Sequence, residues 1–212
     1  MATAFASRSD GKKMVSMDRN DKNYLMKLRA LPSGKILKTI TLPYTANCFA
    51  FSSDSRYVFA GMATDDKTMM IDLQTGATRQ IFRHQGQYND VTGIRKLILT
   101  KEGNILITGD DYGNTRFWDV TTGNELGDLY AVKGIINSMI LLPGGKQLAT
   151  CGGESAFTDA NIQIIDIATR QVVKTLKGHD NSPTSLAATP DGKYLLSGSY
   201  DRTIKIWNLS TG

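Results

Sequence analysis

Only two cysteines, Cys48 and Cys151, occur in the 212 residues. That is too few for the disulfide framework of a small secreted domain. Each lies inside an apolar run, NCFAF or LATCGG, where a free thiol behaves as a small buried hydrophobe. Histidine is as scarce, at two residues. Two histidines and two cysteines scattered along the chain offer no metal-ligand spacing, so neither a metal nor a cofactor is expected. A GxxxxGK[ST] phosphate loop is missing too, since Gly144-Gly145-Lys146 is a turn between two apolar runs. No apolar run approaches the roughly 18 residues of a membrane span. Met1 to Asp10 lacks the basic and apolar regions of a secretory signal. A cytoplasmic (or nuclear) location follows as the expectation, with no membrane partner.

The sequence does carry enough apolar residues, 41%, against 21% charged, to bury a core. Its net charge of +5 is uneven. Residues 1–40 hold 9 Lys/Arg against 3 Asp, and the remainder is close to neutral. The nine basic residues are spread among polar ones with no aromatic stacking ladder beside them, which reads as a solvated rim, so nucleic acid is not expected as a partner.

Turn signals recur. Pro32-Ser33-Gly34, Gln74-Thr75-Gly76, Thr121-Thr122-Gly123, Ala168-Thr169-Arg170 and Ser210-Thr211-Gly212 end at spacings of 42, 47, 47 and 42 residues. A second marker keeps the same order: Asp10-Gly11, Asp54-Ser55, Glu102-Gly103, Gly144-Gly145 and Asp191-Gly192. Between the markers lie short runs rich in Ile, Leu, Tyr and Trp, the composition of antiparallel strands. Two independent markers with one period of about 40–45 residues define a true repeat of four strands per unit.

The last repeat, GHDNSPTSLAATPDGKYLLSGSYDRTIKIWNLSTG, has Gly178-His179 near its start and Trp207-Asn208 near its end. It resembles one unit of the WD-repeat β-propeller family, with Asn in place of the final Asp. Trp118-Asp119 is a complete pair in the third repeat, whereas Ile71-Asp72 and Ile165-Asp166 fill the slot in the second and fourth, and Arg29 stands there in the first. The resemblance implies an all-β fold: a β-propeller of WD-repeat type with blades near 1–41, 42–83, 84–130, 131–177 and 178–212. The last blade lacks its outer strand. The expectation is therefore part of a larger, seven-blade ring, or a ring completed by further blades or a second chain.

By the same resemblance, His179, Ser197, Asp201 and Trp207 form the family's buried hydrogen-bonded tetrad. This set is structural, since nothing around Ser197 looks like the elbow that exposes a catalytic serine. In the third repeat Thr108 and Trp118 match the pattern, but Tyr112 falls where the Asp would be, beside Asp111.

Two connections are long. Gly76 to Gly103 takes 27 residues where Gly34 to Ser55 takes 21, and Thr150 to Ile165 takes 15 where Ser197 to Trp207 takes 10. Both insertions fall at the end of the sheets that carries His179 and Asp201, and in repeat architectures insertions gather on the binding face. The expected partner-binding residues are Tyr44, Tyr88, Asn89, Phe157 and Tyr200. The function expected is a non-catalytic scaffold that binds a protein or peptide partner there. The alternative is a sugar-binding or glycan-processing propeller (lectin or glycosidase-like), which would need carboxylates or aromatics gathered at the ring axis.

Overall fold

Backbone geometry explains why the turn markers repeat. In the computed structural model, which describes residues 4–8, 10–20, 23–84, 93–153 and 160–211, both kinds of marker end on a left-handed residue. Gly11, Gly103, Gly145 and Gly192 do so after the first strand of a unit, and Gly34, Gly76 and Gly123 after the third, with φ between 68° and 85°. Glycine takes this conformation without the steric cost of a Cβ. Ser55 and Arg170, both at φ 59°, hold equivalent places and bear that cost.

Antiparallel strands fill the intervals. The first sheet is β1 (Phe5–Ser7), β2 (Lys13–Arg19), β3 (Tyr24–Ala30) and β4 (Ile36–Leu42). The second is β5 (Ala46–Phe51), β6 (Tyr57–Met62), β7 (Lys67–Asp72) and β8 (Thr78–Arg83). The third is β9 (Ile94–Leu99), β10 (Ile105–Asp110), β11 (Asn114–Asp119) and β12 (Glu125–Tyr130). The fourth is β13 (Ile136–Leu141), β14 (Gln147–Gly152), β15 (Ile162–Asp166) and β16 (Gln171–Leu176). The fifth has three strands, β17 (Pro183–Ala188), β18 (Tyr194–Ser199) and β19 (Ile204–Asn208). Every sheet is a meander in sequence order. The first strands touch in succession, β1 to β5 to β9 to β13 to β17, and so form the inner wall of a fan of blades.

Apolar clusters join each sheet to the next. Val15, Met17, Met26 and Leu28 pack on Phe49, Val58, Ala60 and Met62 between the first and second. Phe59 and Phe82 meet Leu97, Leu106 and Trp118 between the second and third. Ile107 and Phe117 pack on Ile136, Leu148 and Ile165 between the third and fourth. Ala149, Cys151, Ile162 and Ile164 are covered by Leu186, Leu195 and Trp207 of the fifth.

The two outward-facing sheets differ. Ile204 and Ile206 in β19 take the register positions of Ile162 and Ile164 in β15. The β15 pair is 0% and 2% exposed, the β19 pair 76% and 67%. On the outer side of the first sheet Arg29 donates from Nε to Ser16 Oγ at 3.4 Å and lies 3.3 Å from Asp18, which Lys27 meets at 2.7 Å. Ion pairing with Lys27 first, then with Arg29, holds the Asp18 carboxyl below its usual range against a burial effect that raises it.

A short side chain closes the second to fifth units after their third strands, whereas the first has Ala30 there. Asp72 Oδ1 accepts the N–H groups of Gln74 (2.8 Å) and Thr75 (2.9 Å), and Asp119 Oδ1 those of Thr121 (2.9 Å) and Thr122 (2.7 Å). Asp166 Oδ1 accepts from Thr169 N–H at 2.8 Å. In the fifth sheet the carboxamide oxygen of Asn208 accepts from Ser210 at 2.9 Å and Thr211 at 3.3 Å. These backbone donors favour the ionised form and lower the pKa of Asp72, Asp119 and Asp166.

Candidate partner-binding face

Connections between second and third strands, and between one sheet and the next, lie at the same end of the meanders. Tyr200, in the turn between β18 and β19, is 66% exposed there. Tyr44, between β4 and β5, is also exposed, and the Lys67 ammonium stands 5.4 Å from its ring centroid. Lys67 in turn pairs with Asp65. Tyr44 and Tyr200 share this end without being on neighbouring sheets. Tyr88, Asn89 and Phe157, the other expected contacts, lie outside the described residues. Tyr112, in the turn between β10 and β11, is a further exposed aromatic at this end. It stands in the third sheet where Tyr200's neighbour Asp201 stands in the fifth, and in the sequence it shows only as a departure from the expected acid.

Behind Tyr200 the fifth sheet is tied by a chain of hydrogen bonds. Trp207 Nε1–H donates to Ser197 Oγ at 2.8 Å, Ser197 Oγ lies 2.7 Å from His179 Nε2, and His179 Nδ1 lies 2.6 Å from Asp201 Oδ2. With Nδ1–H donating to the carboxylate, Nε2 is the acceptor for the serine hydroxyl, whose oxygen receives the indole N–H. Asp201 also accepts from Thr203 Oγ1 (2.6 Å), Thr203 N–H (2.8 Å) and Asp180 N–H (3.1 Å). Burial raises the Asp201 pKa, but the bonds from Thr203 and His179 outweigh it and leave the carboxyl well below its usual range. Ser197 and His179 are buried. Their polar atoms are used inside the sheet, so neither faces solvent.

The third sheet repeats part of this arrangement with a histidine from the start of the preceding long connection. His84 packs on Trp118 with ring centroids 4.9 Å apart, as His179 does on Trp207 at 5.8 Å. Trp118 Nε1–H donates to Thr108 Oγ1 at 2.9 Å. The carboxylate is missing: Tyr112 holds its place, Asp111 accepts Gly93 N–H at 3.0 Å and pairs with Arg95, and Asp110 accepts the N–H groups of Tyr112 and Asn114. His84 is 1% exposed, and neither ring nitrogen has a hydrogen-bond partner among the described residues. Burial, followed by the charge of nearby Arg116, pushes its pKa down to about 3.

A second regularity shapes the inner wall. Four first strands bulge near this end, at Asn47, Arg95, Asn137 and Thr184, each skipped in the pairing of its strand. A bulge re-aims the side chain it carries. Among the described residues no group of three or more His, Cys, Asp or Glu could hold a metal ion.

Four-stranded antiparallel meanders fanned around shared first strands, with a His–Ser–Trp chain under the turns, define blades of the propeller type. Comparison with known proteins agrees: residues 34–71 and 170–208 match the family described as WD domain, G-beta repeat. The chain belongs to the WD-repeat β-propeller family. It is 30% identical over 143 residues to the U3 small nucleolar RNA-associated protein 21 homolog of Schizosaccharomyces pombe, covering 66% of this chain and 15% of that protein. It is 32% identical over 117 residues to the transcription factor unc-37 of Caenorhabditis elegans (55% and 18%). With the nuclear distribution protein nudF of Aspergillus niger the identity is 30% over 167 residues (71% and 36%). The chain thus spans between about a seventh and a third of the length of these relatives.

Proposed function

We propose that this chain is a non-catalytic scaffold that binds a protein or peptide partner on the face built from the turns after the second strands and the connections between sheets. The observation that carries this reading is the exposure of Tyr200 directly above a polar chain whose members are all engaged with one another. An exposed aromatic on a rigid support loses little side-chain entropy when it docks, and such residues anchor interfaces. Tyr44 and Tyr200, with Tyr88, Asn89 and Phe157 from the long connections, are the proposed contacts. The fully engaged His179 and Ser197 favour binding over catalysis, and no finding favours the carbohydrate alternative.

A separate observation supports a second surface. The bare apolar side of the fifth sheet matches, position by position, the side of the fourth that another sheet covers. Further blades or a second chain completing the ring would bury Ile204 and Ile206 in the same way. A cytoplasmic or nuclear location suits such a scaffold, and two relatives carry nuclear or nucleolar terms in their names.

The test is mutation of the face against mutation of the opposite end. Tyr44→Ala with Tyr200→Ala, and separately Tyr88→Ala with Phe157→Ala, should weaken binding of a partner captured by the immobilised chain by about tenfold or more. Each pair should leave the melting temperature within a few degrees. Lys146→Ala with Lys193→Ala, beside the turns at the other end, should do little. Loss of binding in the lysine pair with none in either aromatic pair would place the partner on the wrong end.

A further inference from the structure

The inner wall beneath the proposed face is uncharged except at one place. Across β1, β5, β9, β13 and β17 the only charged residues are Arg95 and Lys96, and no acidic residue occurs on any of the five. At the level of the bulges the wall runs Asn47-Cys48, Arg95-Lys96, Asn137-Ser138, Thr184-Ser185. Most of these groups are already committed. Arg95 is paired with Asp111. The Asn137 carboxamide donates to Pro183 O at 3.1 Å, Thr184 Oγ1 donates to Gly198 O at 3.2 Å, and Cys48 Sγ lies 3.8 Å from Ile94 O. Lys96 is exposed and has neither an ion pair nor a hydrogen bond among the described residues.

Its position is fixed by register. Lys96 stands opposite Gly109, on the side of the third sheet where a Cβ at Gly109 would meet Ile136 and Met139 of the fourth. Burial pushes the thiols of Cys48 in β5 and Cys151 in β14 up to about 12, and the charge of Lys96 acts on both in the opposite direction. Register therefore sets Lys96 on the inner wall, on the side of the third sheet that faces the fourth.

We infer that the partner places an acidic side chain, Asp or Glu, against Lys96 at the mouth of the inner wall. An ammonium set among neutral groups on a protein wall attracts a carboxylate and repels a cation. Its field is not cancelled by any acid on these strands. The result is selectivity as well as affinity, because a basic partner would meet an unpaired like charge. This inference rests on the face assigned above.

The experiment is selection of peptides of about twelve residues from a random phage-displayed library on the immobilised chain, followed by binding of the winning synthetic peptides. Peptides from the unmodified chain should share an Asp or Glu at one fixed position. They should bind Lys96→Met at least about tenfold more weakly, bind Lys96→Arg nearly as well as the parent, and weaken as salt is raised from about 0.05 to about 0.3 M. Selection on Lys96→Glu should lose the acidic position, and selection on Lys193→Glu should keep it. Peptides that depend on Tyr44 and Tyr200 but carry no shared acid, or that bind Lys96→Met unchanged, overturn the role of Lys96 and leave the face standing. Failure to select any peptide, or selection of peptides indifferent to both tyrosines, overturns the face and this inference with it.

Discussion

His84 provides a test in which the histidine's own chemistry is the signal. The side chain is buried on Trp118, and neither nitrogen has a partner among the described residues, so His84→Leu removes two unsatisfied polar atoms and breaks no hydrogen bond to them. At pH 7 the substitution should fall within about 1 kcal/mol of the parent, because the polar atoms it removes offset the lost ring contact. The larger effect appears in acid. In the unfolded chain the imidazole titrates near its ordinary 6.5, whereas in the folded one it resists protonation until about 3. As pH falls below 6.5 the unfolded state takes up a proton that the folded state refuses, and stability is lost at up to about 1.4 kcal/mol per pH unit. At pH 5 this amounts to about 2 kcal/mol, which His84→Leu should restore relative to the parent. Urea unfolding of both proteins at pH 7 and pH 5 measures it, with His179 present in each and cancelling. An unchanged gap between the curves at the two pH values would refute the burial argument. A loss beyond about 2 kcal/mol at pH 7 would show that His84 does hold a hydrogen bond.

His179→Ala should behave in the opposite way. It removes one bond to a carboxylate and one to a hydroxyl, costing about 2–4 kcal/mol in urea unfolding at pH 7 while leaving peptide affinity per folded molecule unchanged. A stable variant that had lost binding would contradict its structural role. Ile204→Lys with Ile206→Lys should lower self-association, followed by sedimentation, because the exposed pair is the apolar centre of the fifth sheet's bare side. A parent chain that stays monomeric at high concentration would remove the reason to expect a covering sheet.

The all-β class and the four-strand unit were legible because the repeat is marked by backbone conformation. A left-handed turn residue leaves a mark in sequence whichever side chains surround it, and only Ser55 and Arg170 blur it. Trp207 and its hydrogen-bond partners were legible through the resemblance of the last repeat to a WD unit. His84 was not, since it follows Arg83 where the fifth repeat has Gly178 before His179, and the inserted residues after it break the count. The link from Arg29 to Ser16 was hidden for another reason. It reproduces the geometry of Trp207 and Ser197 with a charged donor on an uncovered side of the sheet, and residue type alone gives no sign of that equivalence. The bulges at Asn47, Arg95, Asn137 and Thr184 interrupt a period-two pattern by a single residue, which a reading by alternation absorbs without trace.

The turn at Asn208 shows which part of an acidic residue matters at that position. An oxygen at Oδ1 is shared by Asp72, Asp119, Asp166 and Asn208, and each accepts the same backbone donors. The negative charge is therefore dispensable, and exchange of Asp for Asn there trades one working acceptor for another. The exchange also changes what acid can do. Three of these turns carry a group that protonation turns into a weaker acceptor, while the one beside the exposed strand β19 carries a group with no proton to gain. In acid the turn of the fifth sheet would keep the acceptor that it has at neutral pH.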